Sequence, residues 1–274
     1  MLKRLEMIAR RYLPPPLQRY FAFLWRLFLG YPLLIPFRAT YIEDGLVSAH
    51  NVDFIEEKKF KIAYEQAVAE KLFVSPDIRW RLHVACWAGT HALALNGDFV
   101  ECGVNKGFMS RIVMDYLDFG QRNSTFYLLD TFQGFDEQYL TPRERKVLQA
   151  YAKDHHKFNK PWQMGIYEPC YDVVVRAFNR FDNVRIIKGT IPDTLAEVKT
   201  ERVAYLSIDM NCVGPEIAAI EYFWPKLVQG GIVILDDYGW SAHLAQKLAM
   251  DGFATKVGKK ILSLPTGQGL IIKD

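Results

Sequence analysis

Cysteine, net charge and long apolar runs are all scarce in this chain of 274 residues. The four cysteines, Cys86, Cys102, Cys170 and Cys212, form no C-x-x-C pair, so we expect reduced, buried thiols of an intracellular protein and no disulfide framework or cysteine-ligated metal. The formal net charge of +3 is too small to indicate a nucleic-acid-binding protein. An apolar content of 50% excludes a disordered chain and indicates a large globular domain.

The small net charge hides an asymmetry along the chain. Residues 1–38 hold seven basic side chains against one acidic, a balance of +6; subtracting this from +3 leaves −3 for the other 236 residues. The apolar stretch 21–37 is interrupted by an arginine, a glycine and two prolines, and it is shorter than the roughly 20 helical residues of a membrane span. We therefore predict a basic, aromatic, helical N-terminal arm over residues 1–53.

Two roles are open for this arm. It packs on its own body or on a second subunit of a homo-oligomer, which we favour, or residues 1–38 make peripheral contact with the inner surface of a membrane. Three consecutive prolines at 14–16 precede the apolar part, which argues against a signal peptide, so we expect a cytoplasmic protein.

The patterning changes at Gly97. Residues 54–96 are predicted to be a helical lead-in that ends at the Asn96-Gly97 stop signal. From there, near-continuous apolar runs typical of buried parallel strands alternate with helical segments. Five such strands and a terminal hairpin predict an α/β fold, with a seven-stranded, mostly parallel sheet and helices on both faces. The strands are predicted at 98–104, 125–130, 184–188, 203–209 and 232–236, the hairpin at 261–273, and the helices near 107–119, 171–181, 193–198, 215–228 and 241–251.

One connection within this 97–274 domain is unusually long. Fifty-three residues separate Asp130 from Val184, and the part at about 134–170 is rich in aromatic and charged side chains, including His155 and His156. Insertions at the carboxyl edge of a parallel sheet tend to cover the ligand crevice. We predict a substrate lid here; an added helical layer is the other interpretation, and the two are not exclusive.

Loops after the first two predicted strands indicate an adenosine-type cofactor. Glu101 and Gly103 lie at the end of the first strand, and Gly107 and Ser110 open the helix that follows it. Gly103 and Gly107 have a G-x-x-x-G spacing, which lets a ligand approach the backbone at a helix N-terminus and differs from the G-x-G-x-x-G of a pyrophosphate loop. Asp130 ends the second strand, where a carboxylate binds ribose hydroxyls. An NAD-dependent enzyme has such an acid as well, so Asp130 alone does not distinguish NAD from another adenosine-type cofactor.

Carboxylates also end two further strands. Asp209 closes VAYLSID, and Asp236 and Asp237 close IVILDD. Neighbouring parallel strands lie about 5 Å apart, so these side chains can converge on one cation. Three carboxylates favour Mg²⁺ over Zn²⁺.

Five motifs occur in this order along the chain: ECGVxxG, LLDTFQGF, IIKGTIPDTL, YLSIDM and PKLVQGGIVILDDYGW. Together they resemble the macrocin O-methyltransferase family. These are metal-dependent enzymes that methylate sugar hydroxyls of natural products, and the similarity runs from about Gly97 onward. It implies a Rossmann-like class I methyltransferase fold with Mg²⁺ on Asp209, Asp236 and Asp237. It further implies S-adenosylmethionine bound by Glu101, Gly103, Gly107, Ser110, Asp130, Thr131, Phe132, Gly189 and Thr190. Relatives carry D-G-D-L-Y where this chain has Asp209 to Val213 (DMNCV), so the acceptor side is altered.

The resulting prediction is a Mg²⁺-assisted O-methyltransferase that acts on a hydroxyl of a sugar-containing or phenolic small molecule or a glycolipid. The sulfonium methyl is already activated, so the enzyme must align the acceptor oxygen and lower its pKa. His243 is the predicted base, Tyr238 the second candidate, and His155 and His156 the next. A non-catalytic methyltransferase-like binding module and a nucleotide-dependent oxidoreductase remain as alternatives.

Overall fold

The computed structural model describes residues 39–72, 77–146 and 168–274. Within these ranges, no helix combines the length and apolarity needed to cross a membrane. The chain divides into two compact units: residues 1–41 with 47–51, and residues 42–46 with 52–274.

The described part of the first unit is small. In it, the backbone amide of Thr40 donates to the Ser48 carbonyl at 2.8 Å. Residues 1–38 lie outside the described residues, and so do residues 147–167 of the predicted lid, with His155 and His156. The roles assigned to the arm and to those histidines therefore stay predictions.

Helices of the second unit follow their apolar periodicity. In the first of them, Phe60, Ala63 and Ala67 recur at helical spacing and are buried, so one stripe of the helix faces the core. The helices are α1 (Lys58–Ala69), α2 (Arg79–Leu93), α3 (Phe108–Tyr116), α4 (Tyr171–Phe178), α5 (Val213–Phe223) and α6 (Leu244–Lys256).

The central sheet contains seven strands: β3 (Asp98–Cys102), β4 (Phe126–Asp130), β5 (Val184–Lys188), β6 (Val203–Ile208), β7 (Leu227–Leu235), β8 (Leu262–Ser263) and β9 (Gly269–Ile272). Their order across the sheet is β5-β4-β3-β6-β7-β9-β8. Strands β3 to β7 run parallel, and β9 runs antiparallel to both β7 and β8. A separate two-stranded sheet is formed by β1 (Tyr41–Glu43) and β2 (Leu46–Ser48).

The order of the strands reverses between β3 and β6. From β3 the chain moves outward to β5 and then returns to lie on the other side of β3, so the loops after β3 and β6 diverge and open a crevice. Gly103 stands at this point with φ +90°, and a Cβ there would lie 1.9 Å from the carbonyl oxygen of Asp209. Only glycine allows the two strand ends to approach this closely.

Successive side chains of the strands point to opposite faces of the sheet, and helices cover both faces. Phe99 and Ile232 belong to the apolar cluster that contains residues of α1 to α4. Val100 and Leu206 belong to the cluster on the other face, with residues of α5 and α6. This two-sided burial explains why the strands are apolar at nearly every position.

The predicted α/β class, the seven-stranded sheet, the helices on both faces and the hairpin at one edge are confirmed. Three helix predictions differ clearly from the structure. The helix predicted at 241–251 begins as a 3-10 turn, Ser241–His243, and continues as α6 to Lys256. The predicted helix at 193–198 is a single 3-10 turn, Leu195–Glu197, because so short a segment cannot sustain a helix alone. The helix predicted at 215–228 ends at Phe223; Pro225 lacks an amide donor, and the chain enters β7 at Leu227.

Candidate active site

A cavity of about 340 Å³ opens at the carboxyl ends of the parallel strands. It extends from the loops after β3, β4 and β5 to the ends of β6 and β7. Gly107 and Ser110 are placed at the N-terminus of α3 and do not line it. The other predicted cofactor residues and all three predicted metal ligands do: Glu101, Gly103, Asp130, Thr131, Phe132, Gly189, Thr190, Asp209, Asp236 and Asp237.

Glu101, at the end of β3, is only 3% exposed. Burial raises its pKa to about 8; the Ser110 hydroxyl, which donates to the carboxylate, opposes this shift, and the charges of Asp236 and Asp130 add to it. The side chain is therefore protonated at neutral pH in the free protein, and a cation bound beside it would favour its ionised form.

Asp130 connects the loops after β3 and β4. Its Oδ2 accepts from the backbone amides of Val104 and Asn105 at 2.7 and 2.8 Å, and its Oδ1 accepts from the amide of Phe132 at 2.6 Å. The Thr131 hydroxyl lies 3.3 Å from Oδ1 but 2.5 Å from the Gly134 carbonyl, which takes its single proton.

This bonding decides how much acceptor capacity the carboxylate keeps. An ionised carboxylate has about four acceptor sites, and three amides occupy three of them. One site on Asp130 Oδ1 is left for a ribose hydroxyl, so the residues present fit an adenosine-type cofactor with one direct hydroxyl contact rather than two.

Two glycines belong to the loops that follow β3 and β5. Gly107, at φ +80°, precedes α3, and a Cβ there would lie 2.5 Å from the ring of Phe178. Gly189, at φ +155°, follows β5, and its amide donates to the Asp130 carbonyl at 2.9 Å. Next to it, the Thr190 hydroxyl donates to Asp136 Oδ2 at 3.2 Å.

The carboxylates of Asp209, Asp236 and Asp237 meet at the other end of the cavity. One oxygen from each lies within 4.8 Å of the oxygens of the other two. Burial raises the pKa of Asp209 well above its usual range, and the charges of Asp236 and Asp237 raise it further. Carboxylate oxygens are hard donors, and three of them placed this close repel one another. Such a ligand set fits Mg²⁺. We call these three residues the carboxylate trio.

Neighbouring side chains hold the trio. The Gln268 amide nitrogen donates to Asp236 Oδ1 at 2.9 Å, and the Asn211 amide nitrogen donates to Asp209 Oδ1 at 3.1 Å. The guanidinium of Arg81 donates to both Asp236 and Asp237.

Glu216 fixes the turn that follows Asp209. It lies on α5, is buried, and accepts hydrogen bonds from the backbone amides of Met210 and Asn211, the latter at φ +58°. Burial raises the pKa of Glu216 to about 8, with Asp237 adding to the shift. Asn211 thus lines the cavity on a turn that a buried glutamate holds.

His243 lies near the trio, although it does not line the cavity. Its Nε2 is 3.7 Å from Asp237 Oδ2, and its Nδ1 is 2.8 Å from the amide nitrogen of Gln246. With that nitrogen donating to Nδ1, the proton of the neutral ring is on Nε2, on the side of Asp237.

Tyr238, the second predicted base, is engaged elsewhere. Its hydroxyl donates to Asp251 at 2.6 Å and accepts from Lys247 at 2.9 Å. Burial and the bond to Asp251 raise its pKa. It does not line the cavity either.

Sequence reasoning missed four side chains that organise this site: Asp44, Arg81, Glu216 and Gln268. Arg81 stands among the buried residues of α2, and an arginine on the apolar face of a helix is the signal that would have indicated a buried ion pair. Gln268 belongs to the PTGQG turn, which the sequence marks only as a connection.

Comparison with known proteins places this geometry in a family. The chain is 28% identical over 155 residues to mycinamicin III 3''-O-methyltransferase of Micromonospora griseorubida, covering 52% of this chain and 55% of that protein. It is 29% identical over 158 residues to 8-demethyl-8-(2,3-dimethoxy-alpha-L-rhamnosyl)-tetracenomycin-C 4'-O-methyltransferase of Streptomyces olivaceus, covering 53% and 54%. The chain thus spans about half the length of the curated relatives it matches.

The fold has a counterpart among solved structures. The structure of the O-methyltransferase NovP matches with a TM-score of 0.57 at 23% identity, covering 70% of this chain and 79% of that one, which shows a shared fold. The family model for macrocin O-methyltransferase (TylF) matches residues 79–261, well over half of the chain. The chain belongs to the macrocin O-methyltransferase family.

Proposed function

We propose that this protein transfers a methyl group from S-adenosylmethionine to a hydroxyl of a sugar-containing or phenolic small molecule or a glycolipid, with Mg²⁺ held by the carboxylate trio. One observation carries the proposal: a single cavity has the predicted cofactor loops at one end and the trio at the other. Family membership supports O-methyl transfer, and the two relatives are named as O-methyltransferases of mycinamicin III and of a rhamnosyl tetracenomycin.

The cofactor end would be organised by residues of β3 and β4. Glu101 would accept from the ammonium group of the methionine portion, which would favour its ionised form. Asp130 Oδ1 would take one ribose hydroxyl through its remaining acceptor site, while its three amide bonds keep the two loops in place. The chain's task at this end is to fix the sulfonium methyl in line with the acceptor oxygen.

At the other end, Asp209, Asp236 and Asp237 would hold the cation. A bound Mg²⁺ would lower the pKa of the acceptor hydroxyl and orient it. Gln268 and Asn211 would orient the carboxylates, because each donates to one oxygen of Asp236 or Asp209.

His243 is the proposed proton acceptor. For this role Nε2 must be unprotonated, which requires the Gln246 amide to turn so that its oxygen accepts from Nδ1–H. The exchange needs only a half-turn of the amide and keeps the bond to Gln246. Tyr238 is the weaker proposal, since Asp251 and Lys247 already occupy its hydroxyl.

The proposal is tested in two steps with the full chain. Calorimetry with S-adenosylmethionine, with and without Mg²⁺, measures cofactor binding. Radiolabelled methyl transfer to a panel of glycosylated polyketides, phenols and glycolipids is then compared in Mg²⁺ and in EDTA, using wild type, Asp237→Asn and the exposed α4 control Asp172→Asn.

We expect cofactor binding in all three proteins and Mg²⁺-dependent transfer in wild type and the control only. Absence of cofactor binding would contradict the enzymatic proposal. Transfer that is equal in EDTA would contradict the role of the metal, and cofactor binding without transfer to any acceptor would favour a binding module.

A further inference from the structure

A buried arginine shares the carboxylates that would hold the cation. Arg81, on α2, is 6% exposed, and its Nη1 lies 2.5 Å from Asp236 Oδ2 and 2.9 Å from Asp237 Oδ1. A single nitrogen thus bridges the two carboxylates. A divalent ion ligated by the same pair would compete with the guanidinium for Asp236 Oδ2, because Gln268 already occupies Oδ1, and it would share the Asp237 carboxylate with the guanidinium.

The opposite edge of this guanidinium has a separate partner. Arg81 Nε lies 2.7 Å from Asp44 Oδ2, and Nη2 lies 3.4 Å from Asp44 Oδ1. Asp44 belongs to the turn between β1 and β2 and lines the cavity. The guanidinium therefore keeps a carboxylate partner even when its Nη1 has none.

Trp240 packs against Arg81 and against the turn that carries Asp44. The guanidinium carbon lies 5.3 Å from the centre of the Trp240 ring. Cβ atoms added at Gly45 and Gly267 would lie 2.9 and 2.6 Å from the same ring, so both glycines pack against it. The turn that carries Asp44 therefore rests on a side chain next to the site.

Charge explains why a cation and Arg81 are both favoured here and why they oppose each other. Asp44 and the trio supply four carboxylates, and Arg81 supplies one positive charge. With all four carboxylates ionised, the site keeps an excess of negative charge, which a divalent ion would reduce. Two cations sharing the oxygens of Asp236 and Asp237 repel each other strongly in a buried site.

We propose that Arg81 is a built-in counter-ion that a divalent cation displaces from Asp236 and Asp237, while Asp44 retains it. The guanidinium holds Asp236 and Asp237 together in the metal-free protein and lowers the affinity for the cation. Arg81 is a positioning residue in this account, which rests on the proposed function for the identity of the cation site.

The test titrates Mn²⁺ into the full-length protein and follows free Mn²⁺ by electron paramagnetic resonance, with no cofactor or acceptor present. The variants are Arg81→Gln, Arg81→Lys, and the control Arg79→Gln, which removes an arginine of the same helix that pairs with Asp77. We expect Arg81→Gln to bind Mn²⁺ about tenfold or more tightly than wild type, and the other two variants to resemble wild type. In thermal melts with EDTA, the melting temperature of Arg81→Gln should be lower than that of wild type. In separate melts with Mn²⁺, the melting temperature should rise more for Arg81→Gln than for wild type.

Other outcomes overturn the inference. Equal or weaker Mn²⁺ binding by Arg81→Gln would show that the guanidinium does not compete with the cation. If that variant folds only when Mn²⁺ is present, the counter-ion role is supported; if it fails to fold even with excess Mn²⁺, the inference is wrong. Absence of Mn²⁺ binding in every variant, with methyl transfer retained in EDTA, would contradict the cation site while leaving the enzymatic proposal standing.

Discussion

The protonation of Glu101 gives a quantitative prediction. Its pKa is about 8 in the folded protein against an ordinary value of 4.5, because the side chain is buried. The folded state therefore holds a proton that the unfolded state has released, and the resulting loss of stability begins near pH 4.5 and grows until about pH 8. At about 1.4 kcal/mol per pH unit, over the 2.5 units between pH 4.5 and 7, the loss at pH 7 is about 3 kcal/mol.

Glu101→Gln removes this titration while keeping the shape of the side chain. The free energy of unfolding is measured by urea denaturation from pH 4.5 to 8 in EDTA, for wild type, Glu101→Gln and the exposed α1 control Glu65→Gln. We expect the stability of Glu101→Gln relative to wild type to rise by about 3 kcal/mol between pH 4.5 and 7. The control should show no such trend.

The stability difference between Glu101→Gln and wild type at pH 4.5 serves as the reference for the values at higher pH. Glutamine brings its own hydrogen-bonding needs next to Ser110, so the absolute difference between the two proteins is not diagnostic, whereas its change with pH is. A difference that stays constant across the range would refute the assignment of a protonated Glu101. Saturating S-adenosylhomocysteine, which carries the same ammonium group, should flatten the trend because it favours the ionised form.

Three further predictions concern the site and its support. Asp209→Asn should weaken Mn²⁺ binding by about 100-fold or more, as measured by titration, and leave S-adenosylhomocysteine binding unchanged; an unchanged Mn²⁺ affinity would exclude Asp209 as a ligand. Glu144→Ala should destabilise the fold by about 1–3 kcal/mol in urea denaturation, because the amides of Thr141 and Val213 lose their acceptor; a loss below about 0.5 kcal/mol would count against this. All four thiols should resist iodoacetamide at pH 8 in the native state, because burial raises each pKa, that of Cys170 to about 11; rapid native alkylation detected by mass spectrometry would show otherwise.

The fold was accessible from the sequence because its signals are local. Continuous apolar runs such as VAYLSI (203–208) are typical of parallel strands that are buried on both faces of a sheet. The position of the loops at the strand ends then follows from the parallel arrangement. The carboxylate trio was predictable for the same reason: Asp209 and Asp236 end neighbouring strands, so the topology brings them together.

The contacts that tune the site were not accessible in this way. Asp44 and Arg81 are 37 residues apart, and Arg81 and Asp236 are 155 apart. No local pattern reports such pairings, because they depend on how α2 and the β1–β2 turn pack beside the sheet. The amide bonds of Asp130 were likewise invisible, since backbone donors leave no mark in a sequence.

The central claim is that one cavity brings a bound cofactor methyl close to a cation on the carboxylate trio. Nuclear magnetic resonance of methyl-¹³C S-adenosylmethionine bound to the full chain, with Mn²⁺ replacing Mg²⁺, tests this directly. We expect strong paramagnetic broadening of the methyl signal in wild type and in Asp172→Asn, and none in Asp209→Asn. An equally sharp methyl signal with and without Mn²⁺, under conditions where both are bound, would contradict it.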